Sequence, residues 1–172
     1  KDTVSFSKSM DLGSGNGWHG LALSLVEEGS NLWLLDSRQG ACNFLNDFIQ
    51  TYNIEGTKVI QGRAEELGRR PIFREKFSLV ASRAMAEPAV ALELSSGFLN
   101  IGGNAVLWLS SEQDPPKSGS GLDDLGLSFE KVHQYVLPKG MGSRTLAVYS
   151  KIAPCKEKFP RRYPAIRNKP LY

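Results

Sequence analysis

The sequence predicts an α/β fold, a doubly wound and mainly parallel sheet that ends in an antiparallel hairpin. Three observations carry that prediction. Short continuous apolar runs alternate with stretches of helical period, the pattern of βα units with strands buried on both faces. A glycine-rich stretch, Asp11-Leu12-Gly13-Ser14-Gly15-Asn16-Gly17-Trp18-His19-Gly20, opens directly into a helical pattern, as a turn between strand and helix does. The last two strand-like runs have no helical pattern between them, only Pro138-Lys139-Gly140-Met141-Gly142-Ser143, which calls for a hairpin at the sheet edge.

Taken in order, the first strand should close at Asp11. Leu21, Ala22, Leu25 and Val26 then recur at helical spacing, predicting a helix from Trp18 to Glu28. Leu32-Trp33-Leu34-Leu35 reads as a buried strand ending in Asp36. Ala41, Phe44, Leu45, Phe48, Ile49 and Tyr52 share one helix face, and both phenylalanines are expected in the core. Lys58–Gln61 and Phe77–Ala81 are the next strands, with a short helix after Gly62-Arg63 between them. A helix should start at Glu87-Pro88, where an early proline is tolerated, and stop at Gly102-Gly103. Ala105–Leu109 is the fifth strand, and Glu112 to Gly121, rich in Pro, Gly and Ser, reads as a mobile loop. Phe129–Leu137 and Thr145–Ile152 form the hairpin.

Composition bounds the function. With 172 residues and ordinary apolar content the chain suits one core, read as a domain over 1–152 and a basic tail over 153–172. No apolar run is long enough for a bilayer and no secretory leader pattern stands at the start, so a soluble protein of the cytoplasm, or of an organelle, is expected, without a membrane role. Two cysteines, Cys42 and Cys155, and two distant histidines offer no disulfide framework and no metal spacing, and no metal is expected. The net charge of +3 is unevenly spread. Residues 151–172 hold seven Lys and Arg against Glu157 alone, a net of +6. Such a segment suits a polyanion, with Phe159 and Tyr163 as candidate stacking groups for RNA, or else it wraps the body and completes the fold.

The glycine stretch admits two registers. Gly15-x-Gly17-x-x-Gly20 fits a dinucleotide fingerprint, whereas Asp11-x-Gly13-x-Gly15-x-Gly17 fits the acid-plus-glycines loop of enzymes that use S-adenosylmethionine. The first would make Asp11-Leu12-Gly13-Ser14 the end of a strand, a poor strand sequence, so the second is favoured. Asp36 at the end of the second strand suits a ribose diol in either case, and Ala64-Glu65 suits backbone contact with an adenine edge.

"DLGSGNGWHG", "LLDSRQGACNFL", "VIQGRAEELG", "FSLVASRAMA" and "FPRRYPAIRNKPL", in this order, resemble the RsmG (GidB) family of small-subunit ribosomal RNA guanine-N7 methyltransferases. The resemblance covers roughly residues 10 to 171 and implies a Rossmann-like class I methyltransferase with S-adenosylmethionine as cofactor. By position it implies cofactor contacts at Gly13, Trp18, Ala64, Glu65 and Arg83. The general class I pattern adds Gly15, Gly17 and Asp36. Where the family usually carries Phe-Pro or Leu-Pro, this sequence has Trp18-His19. The polar Val4–Met10 stretch and the absence of the family's helical N-terminal segment make the chain read as a fragment or a divergent copy. Guanine N7 carries its own lone pair, so the implied reaction needs no general base and no catalytic residue is assigned; proximity and orientation would carry the rate. Arg83 is expected to pair with the cofactor carboxylate or the RNA, or else with Glu87. The implied partner is ribosomal RNA or the small ribosomal subunit, with the chain a monomer. Two other readings stand beside this one, an NAD(P)-dependent oxidoreductase using the Gly15 register and an inactive RNA-binding module of methyltransferase fold.

Overall fold

The structure, a computed structural model, describes residues 8–26, 31–110 and 112–172, apart from the side chains of 24–26. Among the described residues, seven strands form one sheet: β1 (Ser9–Leu12), β2 (Leu32–Asp36), β3 (Thr57–Gln61), β4 (Phe77–Arg83), β5 (Leu99–Leu109), β6 (Leu127–Val136) and β7 (Ser143–Lys151). Their order is β3-β2-β1-β4-β5-β7-β6. The first five strands pair in parallel, and β7 inserts antiparallel between β5 and β6. The doubly wound sheet and its antiparallel hairpin are therefore as expected from sequence.

Among the described residues, five α-helices lie between strands, α1 (Trp18–Val26), α2 (Gln39–Thr51), α3 (Ala64–Leu67), α4 (Pro88–Ser96) and α5 (Ser120–Leu125), and α6 (Tyr163–Asn168) follows β7. Alternation along the strands divides the core into two layers. Leu32 and Leu34 of β2 meet Leu21 of α1 and Leu45 of α2 on one side. Met10, Leu12, Leu35, Val80 and Leu107 face the opposite side, where α3 to α6 pack. Strand order reverses between β1 and β4. In such sheets the crevice outside the carboxyl ends, at this switch point, is where a ligand fits.

Several boundaries differ from the sequence reading. Helix α1 begins at Trp18 as expected, whereas Glu27 and Glu28, its expected end, lie outside the described residues. Asp11 is the penultimate residue of β1, and Leu12 closes the strand. Helix α4 ends at Ser96, capped by Gly97, and does not run on to Gly102-Gly103. The two glycines lie inside β5, where Gly102 takes φ +83° and the register with β4 shifts, because a bulge needs a conformation that side chains resist. Helix α5 was missed. Its first residues fall in the stretch read as a loop, and that stretch is tied down where the Tyr149 hydroxyl donates to the Pro116 carbonyl at 2.9 Å.

Phe44 is not core. The buried stripe of α2 runs through Cys42 and Leu45, which leaves Phe44 on its flank at 49% exposure. Phe48 packs against the smaller core cluster and bridges the rings of Phe44 and Tyr52.

The basic segment wraps the body. Phe159 and Ile166 are buried in the main core. Buried Glu93 of α4 accepts hydrogen bonds from Arg161 through its backbone N–H at 2.8 Å and through Nε and Nη2 at 2.9 and 2.6 Å. Arg74 donates to the carbonyls of Phe159 and Cys155 at 2.8 and 2.9 Å. Buried Lys151 donates to the carbonyls of Ser96 and Leu125, each at 2.9 Å. Much of the local positive charge is thus spent on holding chain to chain.

Candidate cofactor cleft and its neighbour

The turn after β1 begins at Gly13, whose N–H donates to the Leu35 carbonyl at 2.8 Å. Gly13, Gly15 and Gly17 take φ of +76°, +57° and +78°, a left-handed zigzag that few other residues adopt. Direct succession of strand and Gly13 favours the Asp11-Gly13-Gly15-Gly17 register. Each glycine answers a different constraint. A Cβ on Gly13 would lie 2.7 Å from Met85 Cγ, at the edge of a cleft. On Gly17 it would run into Leu45 and Leu21. Gly20, on the first turns of α1, faces Asp11 with only 2.9 Å for a Cβ.

A cleft of about 360 Å³ opens along the carboxyl ends of β1, β2 and β3. Gly13, Asp36, Ala64 and Glu65 line it, four residues singled out from sequence, now brought together. Asp36 is tightly organised. Its carboxylate accepts the Gly15 N–H at 2.8 Å and the Arg38 N–H at 2.9 Å, with the exposed Arg38 guanidinium alongside at 3.3 Å. Burial pushes its pKa upward, but these hydrogen bonds and the Arg38 charge prevail and hold it below the ordinary value. Glu65 pairs with Arg63 at 3.0 Å.

Gly15 touches the cleft only through Asp36, and Gly17 serves helix packing. Trp18 and Arg83 lie elsewhere. With His19, Ala22, Leu23 and Trp108 they line a second, mostly apolar cleft beside the first. Trp18 is 71% exposed there. Arg83 meets His19 Nε2, not Glu87. Burial, and then the Arg83 charge, lower the His19 pKa, so the neutral ring accepts from the guanidinium while tilting against Trp108 at 5.5 Å.

Asp11 does not line this first cleft. It is buried under Gly20 with Oδ2 lacking a hydrogen-bond partner, and burial raises its pKa to about 6. Sequence reasoning missed Met85 and Tyr163 as lining residues. Tyr163, considered for RNA stacking, instead lies under the Arg63 guanidinium at 4.7 Å and walls the cleft. Nothing in the local sequence around Tyr163 announces that placement, which depends on the tail's docking. Among the described residues no His, Cys, Asp and Glu grouping could hold a metal ion, and no helix is long and apolar enough to cross a membrane.

Comparison with known proteins agrees with this geometry. The profile of the family described as GidB, rRNA small subunit methyltransferase G, matches residues 2–115. The chain is 36% identical over 165 residues to a Ribosomal RNA small subunit methyltransferase G of Carboxydothermus hydrogenoformans, covering 95% of this chain and 70% of that protein. It is 33% identical over 169 residues to the protein of that name from Prochlorococcus marinus, covering 95% and 67%. Among solved structures, a putative methyltransferase from Bacillus halodurans superposes with TM-score 0.63 at 15% identity, covering 85% of this chain and 93% of that one. A SAM dependent methyltransferase from Aquifex aeolicus does so with TM-score 0.61, also at 15% identity, covering 84% and 82%. These two show the Rossmann-like methyltransferase fold; the sequence matches, over most of its length, show that the chain belongs to the rRNA small subunit methyltransferase G family.

Proposed function

We propose that this chain transfers a methyl group from S-adenosylmethionine to N7 of a guanine in small-subunit ribosomal RNA. The observation that carries the reading is the cleft at the switch point, where Gly13, Asp36, Ala64 and Glu65 converge in a chain of this family. The donor's sulfonium supplies an electrophilic methyl group, which the N7 lone pair takes in an in-line displacement. Gly13 lets the backbone approach the ligand without a side chain between them. The Asp36 carboxylate, kept ionised by Gly15 and Arg38, accepts from a ribose diol. Ala64 and Glu65 present backbone to the adenine edge, and Tyr163 limits the cleft on the tail side. These residues bind and orient; none is asked to move a proton. Proximity and orientation can account for roughly 7 to 11 kcal/mol of barrier lowering in well-oriented intramolecular models.

The chain acts in the cytoplasm of a bacterium or in an organelle, with ribosomal RNA or the small subunit as its partner. Calorimetric titration with S-adenosylmethionine and with NAD, followed by methyl transfer to small-subunit RNA and mapping of the modified base, tests the reading. Binding of NAD alone would refute the cofactor assignment. Donor binding without transfer would leave an inactive RNA-binding module.

A further inference from the structure

If the tail aromatics serve the fold, a different surface must receive the substrate base. Parallel register sets Arg83 of β4 beside Trp108 of β5. Antiparallel register sets Trp108 beside Leu146 and, two residues further along the hairpin, Arg144 beside Tyr135. Paired residues share a sheet face and so do residues two apart on a strand. Arg83, Trp108, Arg144 and Tyr135 therefore stand on one face near the carboxyl ends of β4 and β5. They line a cleft of about 550 Å³ that His19 borders from α1.

Two features set this cleft apart from the cofactor cleft. Among the described residues its lining holds two guanidinium groups and no carboxylate, whereas the cofactor cleft holds Asp36 and Glu65 beside its cations. Its walls also offer two large aromatic rings, both only half-buried. Ala84, at φ +50°, lines both clefts and forms the partition between them. The cationic cleft and the cofactor cleft thus adjoin at Ala84.

We propose that this cleft seats the target nucleotide of the RNA, extruded from its neighbours, with its base stacked on Trp108 or Tyr135 and its flanking phosphate on Arg144. Arg83, held by His19, donates to the carbonyl oxygen O6 of the base, leaving the N7 lone pair free to attack the methyl group. The chemistry fits a purine presenting an acceptor edge, since a guanidinium carries only donors. A base inside a duplex could not reach an aromatic wall, so the nucleotide must be unpaired when it enters. The assignment rests on the function proposed above.

The test uses the full chain with in vitro transcribed small-subunit RNA and a short guanosine-containing single-stranded oligoribonucleotide. Tyr135 and Arg144 sit on the partly exposed hairpin, and melting curves verify that Tyr135→Ala and Arg144→Ala fold. Each is expected to raise KM for RNA, or Kd for the oligonucleotide, by about tenfold or more, with S-adenosylmethionine affinity unchanged. Arg144→Ala is further expected to reduce the slope of log affinity against log salt by about one. Folded variants with wild-type RNA affinity and salt slope would overturn the proposal, as would equally tight binding of the oligonucleotide when annealed to its complement. Failure of the wild type to methylate any RNA would instead overturn the function, while oligonucleotide binding still reports on the cleft.

Discussion

Replacing Glu93 by alanine should loosen the basic tail and through it the cofactor cleft. Glu93 is fully buried on α4, and Arg161 gives it a backbone N–H and two guanidinium contacts between 2.6 and 2.9 Å. Removing one partner of a buried pair costs about 3 to 5 kcal/mol, because the other charge is left without compensation. The Arg161 side chain is 23% exposed and can recruit water, which places the expected loss near the lower end, about 3 kcal/mol. With an unfolding entropy of about 2.1 cal/mol/K per residue, 172 residues give roughly 0.36 kcal/mol/K and a fall in Tm of about 8 °C. Differential scanning calorimetry measures the shift. Titration with S-adenosylmethionine should show weaker binding as well, since Tyr163, two residues after Arg161, walls the cleft. The paired change Glu93→Leu with Arg161→Leu should restore most of the stability, because an apolar pair of similar volume leaves no buried charge. A Tm change under 2 °C for Glu93→Ala, with donor affinity intact, would refute the clamp.

Other outcomes follow from the glycine loop and its carboxylates. Gly20→Ala should lower stability by about 1 to 3 kcal/mol, as its Cβ would be forced against Asp11 and Leu34, and Gly13→Ala should mainly weaken donor binding; chemical denaturation and calorimetric titration separate the two. Asp36→Ala should reduce affinity for S-adenosylmethionine about tenfold or more, since it removes the charged acceptor between Gly15 and Arg38. Asp11, with a folded pKa of about 6 against 3.8 unfolded, binds more protons in the folded state between those values. Its contribution to stability is therefore largest below about pH 4 and falls as pH rises through 6, by about 3 kcal/mol in all. Asp11→Asn should remove that slope in urea denaturation followed from pH 4 to 7, and an unchanged slope would show that another group is responsible.

Much of the site was legible before the fold. Asp36 stands at the end of an unmistakable apolar run, and Gly13, Ala64 and Glu65 likewise fall just after strands, so the parallel sheet delivers all four to one edge. Trp18 and Arg83 came from the family resemblance, which did not give their partners. Trp108 and His19 lie 89 residues apart along the chain, and only strand register sets Trp108 beside Arg83. Asp11 fits the acid-plus-glycines pattern by its strand position, but sequence does not give the inward turn of its carboxylate beneath Gly20. Gly102-Gly103 was read as a helix stop because a glycine pair permits a stop and a bulge equally.

The sequence by itself determined the alternation of strand and helix, the loop register and the family, since periodicity, glycine placement and local motifs act over a few residues. Only the tertiary structure decided what the charges do. Lys151 and Arg161 look like solvated cations in the sequence, yet one satisfies carbonyls in the core and the other clamps the tail to buried Glu93. An ionised group enters an interior only where partners offset its desolvation, and those partners lie 26 to 68 residues away along the chain.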